Sequence, residues 1–188
     1  MPMIDMERDA LPVGSKLDIG AFGCCGEDIL LLPPFALLLS LALGGAVHGA
    51  LLGAGVASGW LPSPADLLLF RGPTFAGLFL VVCALEASAF TLLMKKKTNP
   101  GFAPVNGLAT DGIYHVTRNP MYVGMVTLSL AVAVLANSFP LLCTSFALFM
   151  YLHLGVIRVE ERMLVRMFGE EYVAFQRRTP RWLVPHVC

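Results

Sequence analysis

The chain has 188 residues, 56% hydrophobic and only 14% charged, with a mean hydropathy of +0.72 and a formal net charge of zero. Soluble domains run at about 45–50% apolar and about 25% charged, so an ordinary water-soluble globule is excluded, while the zero net charge says nothing about partners. The five cysteines are odd in number and form no CxxC, which argues against a disulfide framework and against a metal site.

Residues 1–28 carry Asp5, Glu7, Arg8, Asp18, Glu27 and Asp28, with no basic start and no small-residue cleavage site. They read as a weakly ordered cytoplasmic arm rather than a secretory signal. Cys24 and Cys25 stand just before the first apolar run, as two plain thiols or as acylation sites, and the terminal Cys188 does not make a prenylation box.

Residues 29–94 hold two predicted spans, Phe35 to Val56 after Pro33-Pro34, and Thr74 to Met94 before Lys95-Lys96-Lys97. Each approaches the ~20 apolar residues that a helix needs to cross a bilayer. Gly45, Gly49 and Gly53 at spacing four fit close helix packing, with a lipid-entry groove as the alternative. His48 and Glu86 are ionisable groups inside spans, where such groups face a partner or a cavity.

Residues 95–188 begin with a Pro- and Gly-rich connection and continue as two further spans, Pro120 to Ala136 and Leu141 to Ile157. Only Asn137-Ser138-Phe139-Pro140 separates them, which predicts a tight antiparallel helical hairpin. A helix from Val159 to Arg178 should follow, with Leu164, Phe168, Tyr172 and Phe175 on one face, lying against the membrane or the bundle. The expected fold is therefore an all-α integral membrane protein of four transmembrane helices followed by an amphipathic cytoplasmic helix. With both termini cytoplasmic, twelve of the thirteen basic residues fall on the inner side.

A connection this long between spans is more often functional than idle. Asn119 and Pro120 read as a capped helix start, which leaves the clustering of Tyr114, Arg118 and Tyr122 at one depth unexplained. An antiparallel hairpin returns Glu160 and Glu161 to that same boundary, and His153, Ile157, Glu160 and Glu161 share a helix face by spacing. The inventory of carboxylates, guanidinium groups, amide and phenols suits a ligand with a cation, a carboxylate and a nucleoside. S-adenosylmethionine has all three, and other nucleotides fit as well. A solvated interfacial charge cluster remains the alternative.

The series Gly112, Tyr114, Arg118, Asn119, Pro120, Tyr122, Gly124, followed by Glu160-Glu161, by Phe168-Gly169 with Tyr172, and by Arg181, resembles the isoprenylcysteine carboxyl methyltransferase and phospholipid methyltransferase family over roughly residues 98–184. The resemblance implies a membrane-embedded methyltransferase that uses S-adenosylmethionine, with Tyr114, Arg118, Asn119, Pro120, Tyr122 and Gly124 as one wall of the cofactor site. Glu160 and Glu161 form the other wall across a nucleoside-sized gap, and His153 joins them by its shared face. Asn119 stands where the eukaryotic isoprenylcysteine enzymes usually have His, which points to the bacterial-type branch. Arg158 is the candidate catalytic residue, orienting an acceptor carboxylate, unless it is an arginine snorkelling to the interface. The expected partners are a lipophilic methyl acceptor entering from the bilayer and membrane lipid, with no nucleic acid and no metal. Rival readings are a phospholipid N-methyltransferase, a membrane reductase and a non-catalytic membrane scaffold that retains the fold.

Overall fold

The computed structural model describes residues 32–56, 59, 64–95 and 108–183. The N-terminal arm, Cys24, Cys25, Cys188, Lys96, Lys97 and the first part of the connection lie outside the described residues. Within them the chain is helical: α1 (Pro33–Gly53), α2 (Pro64–Lys95), a short 3-10 turn (Gly112–His115), α3 (Pro120–Leu135), α4 (Phe139–Tyr151), α5 (Ile157–Phe168) and α6 (Glu170–Arg178). A π-helical segment, Leu152–Val156, joins α4 and α5 into one 30-residue rod.

Among the described residues, three helices are long and apolar enough to cross a membrane: α1, the stretch Leu69–Lys95 of α2, and the rod Phe139–Phe168. The expected count of four depends on α3, which is apolar but only 16 residues long. At 1.5 Å per residue it reaches about 24 Å, against a hydrocarbon core of about 30 Å. Many large apolar side chains stay exposed, among them Phe35, Leu38, Leu39, Leu43, Phe70 and Leu80. Such a surface has no stable place in water and suits lipid.

The helices alternate in direction. α2 packs along α3, and α1 packs along α4. The close approach of α1 to α4 falls at Gly44, where an added Cβ would run into Leu141 and Thr144. The expected packing series Gly45, Gly49 and Gly53 meets nothing within 4 Å, so spacing identified a glycine-rich helix but the wrong face of it. The predicted tight hairpin forms between α3 and α4. Asn137 turns the chain at φ 46°, and the Ser138 hydroxyl accepts from the Leu141 N–H at 3.3 Å to cap α4. Halfway along, the buried Ser129 and Ser145 hydroxyls bond to each other at 2.6 Å.

The tail departs from expectation. A single helix from Val159 to Arg178 was predicted, but the chain breaks at Gly169, whose φ of +53° is disfavoured for any residue with a Cβ. The break folds α6 back toward the bundle. Tyr172 and Phe175 are buried against Ala89 and Leu93 of α2 and Tyr114 of the 3-10 turn, with Leu164 and Phe168 packed beside them. The apolar face of the tail therefore packs on the bundle. This cluster draws the end of α2, the start of α3 and the end of α5 to one end of the molecule.

Candidate functional site

The segment Thr117-Arg118-Asn119 is stitched to the chain sixty residues later. Thr117 Oγ1 and Asn119 Nδ2 both donate to the Arg181 carbonyl at 3.0 Å, and the Arg118 N–H donates to the Pro180 carbonyl at 3.0 Å. Asn119 does occupy the N-cap position of α3, but its side chain makes no capping bond there. Its amide is spent on Arg181, so a capped helix start does not account for it. Pro120 follows as the first residue of α3 and is fully buried.

Arg181 in turn grips Glu161 with two bonds, one from Nε at 3.0 Å and one from Nη2. Arg118 Nη1 lies 3.1 Å from the same carboxylate, with side-chain exposures of 5% and 12% for Arg118 and Glu161. That pair is an ionic contact out of line for a hydrogen bond, and both Arg118 Nε and Nη1 are buried without a hydrogen-bond partner. Buried guanidinium donors are normally satisfied, so Arg118 holds unused capacity for an acceptor.

Beside this cluster, the Tyr122 hydroxyl donates to Glu160 at 2.5 Å. Gly124, one turn further into α3, meets Glu86 of α2: a Cβ built on Gly124 would collide with the Glu86 carboxylate. Glu86 therefore belongs to this end of the bundle. Tyr114 feels both carboxylates. Burial chiefly, then the charges of Glu86 and Glu160, push its phenol up to about 12. Tyr172 is likewise pushed up to about 12, chiefly by burial and then by Glu161, with Arg118 opposing. Both phenols stay protonated at neutral pH, and the Tyr172 oxygen accepts from Arg118.

His153 feels the charge of Glu161. Its Nδ1 accepts from Trp182 Nε1 at 3.0 Å, and its ring stacks on Phe149 with centroids 5.7 Å apart. The π segment that contains it shifts the helical register between His153 and Ile157. Arg158 is exposed and lines a cavity of about 480 Å³ together with Glu161, Arg162, Val165, Arg166, Gln176 and Arg181.

The expected gap between Glu160-Glu161 and the Tyr114-to-Gly124 segment is replaced by direct contact, through Tyr122–Glu160 and Arg118–Glu161. The cavity lies on the other flank of Glu161, and none of its lining comes from residues 114–124. Sequence reasoning missed Thr117, quoted Arg181 only as a motif position, and named Tyr172 in the motif and on the apolar face of the tail. Glu86 was visible as a charge within a span, but its partner Gly124 depends on the register between two helices, which spacing along one chain does not encode.

A family profile described as phospholipid methyltransferase matches residues 74–171. The chain belongs to the phospholipid methyltransferase family. No curated protein and no solved structure matches it. In this family member the matched stretch runs from α2 to the first turn of α6, so it contains Glu86, Tyr114, Arg118, Asn119, Tyr122, Gly124, Glu160 and Glu161. Arg181, which clasps Glu161, lies outside that stretch. Family and apolar helices together make the protein a multi-pass membrane methyltransferase.

Proposed function

We propose that this methyltransferase takes its methyl group from S-adenosylmethionine and delivers it to a lipophilic acceptor that enters laterally from the bilayer, as the isoprenylcysteine carboxyl methyltransferases do. The observation that carries the reading is the convergence of Arg118, with its unused buried donors, on a wall of two glutamates and two phenols at one end of the bundle. The donor set fits the cofactor. A carboxylate would satisfy the spare Arg118 donors, and a sulfonium is favoured beside carboxylates and aromatic faces such as Glu160, Tyr114 and Tyr122. Asn119, Pro120 and Gly124 shape that wall, Glu161 completes it, and His153 supports it from behind through Trp182. When bound, the cofactor supplies an already activated methyl group.

The residues of the chain then have mainly to align donor and acceptor and to exclude water. Because Tyr122 holds Glu160 and Arg118 holds Glu161 directly, ligand binding on this reading draws α5 away from the start of α3. A carboxylate acceptor needs no base and would meet Arg158 at the edge of the Glu161 wall. A second reading, N-methylation of a lipid amine, is favoured by Glu86, a carboxylate set against Gly124 where an amine proton has somewhere to go. In both readings the termini and the site face the cytoplasm, in keeping with the distribution of basic residues.

Purified full-length protein in lipid nanodiscs, given S-adenosylmethionine labelled at the methyl group, should transfer label to an organic-extractable acceptor. Prenylcysteine and aminophospholipid, supplied separately, distinguish the two readings. Tyr122→Phe and Glu160→Gln should each slow transfer by about tenfold or more, the loss of one buried polar contact. Absence of label in both acceptors and in a total lipid extract would leave a scaffold that kept the fold.

A further inference from the structure

Past α6, the residues Thr179-Pro180-Arg181-Trp182 run across the end of the bundle as a strap. The Pro180 and Arg181 carbonyls take the bonds from Thr117, Arg118 and Asn119, and the Arg181 side chain holds Glu161. Trp182, the next residue, is fastened elsewhere. Its Nε1–H donates to His153 Nδ1 at 3.0 Å, and its ring centroid lies 5.0 Å from that of Phe149, on which His153 also stacks. It packs against the buried cluster of Ala36, Leu148, Leu152 and Val156. Trp182 thus anchors the strap to α1 and the rod, one residue beyond the clasp on Glu161. The Arg181 carbonyl that Thr117 and Asn119 hold belongs to the same peptide plane that leads into Trp182. Losing the anchor frees that plane.

The anchor admits one protonation state. An indole N–H only donates, and a neutral imidazole has a single acceptor nitrogen. With Trp182 on Nδ1, the neutral ring carries its proton on Nε2, and a second proton would set N–H against N–H. Imidazole changes charge near neutral pH, and His153 is half-buried in the π segment rather than sealed from water. The charges that face it are Arg181 on the strap with Arg158 and Glu161 on α5. The rod itself adds the phenol of Tyr151 to this cluster, and α1 brings only the apolar Ala36 and Leu37. Arg181 and Arg118 already engage Glu161, so an imidazolium would meet two arginines and a carboxylate that is spoken for. We infer that Trp182 is a positioning residue of the methyl-donor site and that His153 is its catch: proton uptake by His153 frees Trp182, slackens the strap and withdraws Arg181 from Glu161. The closed strap has no room for the second proton, so acid favours the open one. The release of Trp182 is a property of the chain alone; its effect on the methyl donor rests on the proposed function.

Trp60→Phe leaves Trp182 as the sole tryptophan. Its fluorescence in the full-length, detergent-purified protein is followed from about pH 8 to about pH 5, the range in which imidazole titrates. Emission should shift to the red as pH falls and the indole leaves the Phe149 ring for water. His153→Asn keeps an acceptor oxygen near the Nδ1 position but does not titrate, and it should hold the emission constant. Calorimetric titration with S-adenosylhomocysteine over the same range should show affinity falling by about tenfold toward acid, and His153→Asn should remove most of that fall. Should the asparagine variant fail to fold, Trp182→Phe, which lacks the N–H, should likewise lose most of the pH dependence of S-adenosylhomocysteine binding. Constant emission in the parent, or an equal red shift in His153→Asn, overturns the inference, as does a red shift with no change in S-adenosylhomocysteine affinity. If S-adenosylhomocysteine binds at no pH, the methyl-donor assignment fails, and the fluorescence alone decides for or against the catch.

Discussion

Asn119 sits where a helix-capping side chain would be ordinary, yet its amide reaches across to the Arg181 carbonyl. Removing it leaves the Arg181 carbonyl with the Thr117 hydroxyl alone and loosens the clasp that aims Arg181 at Glu161. Asn119→Ala should therefore weaken S-adenosylhomocysteine binding by about tenfold, through the loss of one or two contacts worth about 1–3 kcal/mol, as titration of the purified variant will show. Gly124 makes a different prediction. Gly124→Ala pushes a methyl into the Glu86 carboxylate, the far end of a flexible side chain that can swing aside, and should cost no more than about 1 kcal/mol of stability. Adding Glu86→Ala should recover most of that loss in thermal unfolding, whereas additive losses in the double variant would separate the two residues. Tyr114 and Tyr172, both pushed up to about 12, set an alkaline limit. Unfolded tyrosines ionise near pH 10, so between about pH 10 and 12 the unfolded chain has released protons that the folded chain retains, and stability falls as pH rises. Tyr114→Phe with Tyr172→Phe should flatten that part of the unfolding-versus-pH curve. The residues themselves were readable: Arg118, Asn119, Tyr122 and the two glutamates stand in a spaced series whose members do meet. Their partners were less so, because Arg181 and Glu86 arrive from other elements, and motif spacing carries no register between helices.

At the scale of elements, hydrophobic run length located α1, the α3–α4 turn and the end of α2 within a few residues, since lipid imposes a length and a polarity that few other environments do. α2 begins at Pro64, however, ten residues before the expected Thr74. Run length also failed where local geometry departs from a regular α-helix. The π segment Leu152–Val156 shifts the register after His153, and it leaves no signature in a period-3.6 count. The break at Gly169 converts one expected tail helix into two, because the Phe-Gly pair reads equally well as an interrupted helix or a continuous one. Gly169→Ala places a Cβ at φ +53°, a strain of about 1–3 kcal/mol. The variant should unfold at lower temperature and bind S-adenosylhomocysteine more weakly, because α6 then delivers Arg181 less accurately to Glu161. An unchanged affinity would mean that the clasp does not depend on the α5–α6 turn.

Across the whole molecule, one end of the bundle gathers Glu86, Arg118, Asn119, Tyr122, Glu160, Glu161 and Arg181. The end of α2, the 3-10 turn, the start of α3, the end of α5 and the tail all meet there, held by the Tyr114–Tyr172–Phe175 cluster and the Thr117-to-Asn119 stitching. Composition alone foretold a membrane protein, and the hairpin foretold that Glu160 and Glu161 would return beside Arg118. A nucleoside-sized gap between the two walls was expected, and instead they touch, through Tyr122–Glu160 and Arg118–Glu161. The proposed function therefore requires that S-adenosylmethionine part the Tyr122–Glu160 and Arg118–Glu161 contacts. Calorimetric titration of the detergent-purified protein with S-adenosylhomocysteine, beside Glu161→Gln, tests this most directly. Saturable one-site binding that falls by about tenfold or more in the variant is predicted; equal affinity in both proteins, or no heat of binding in either, would contradict it.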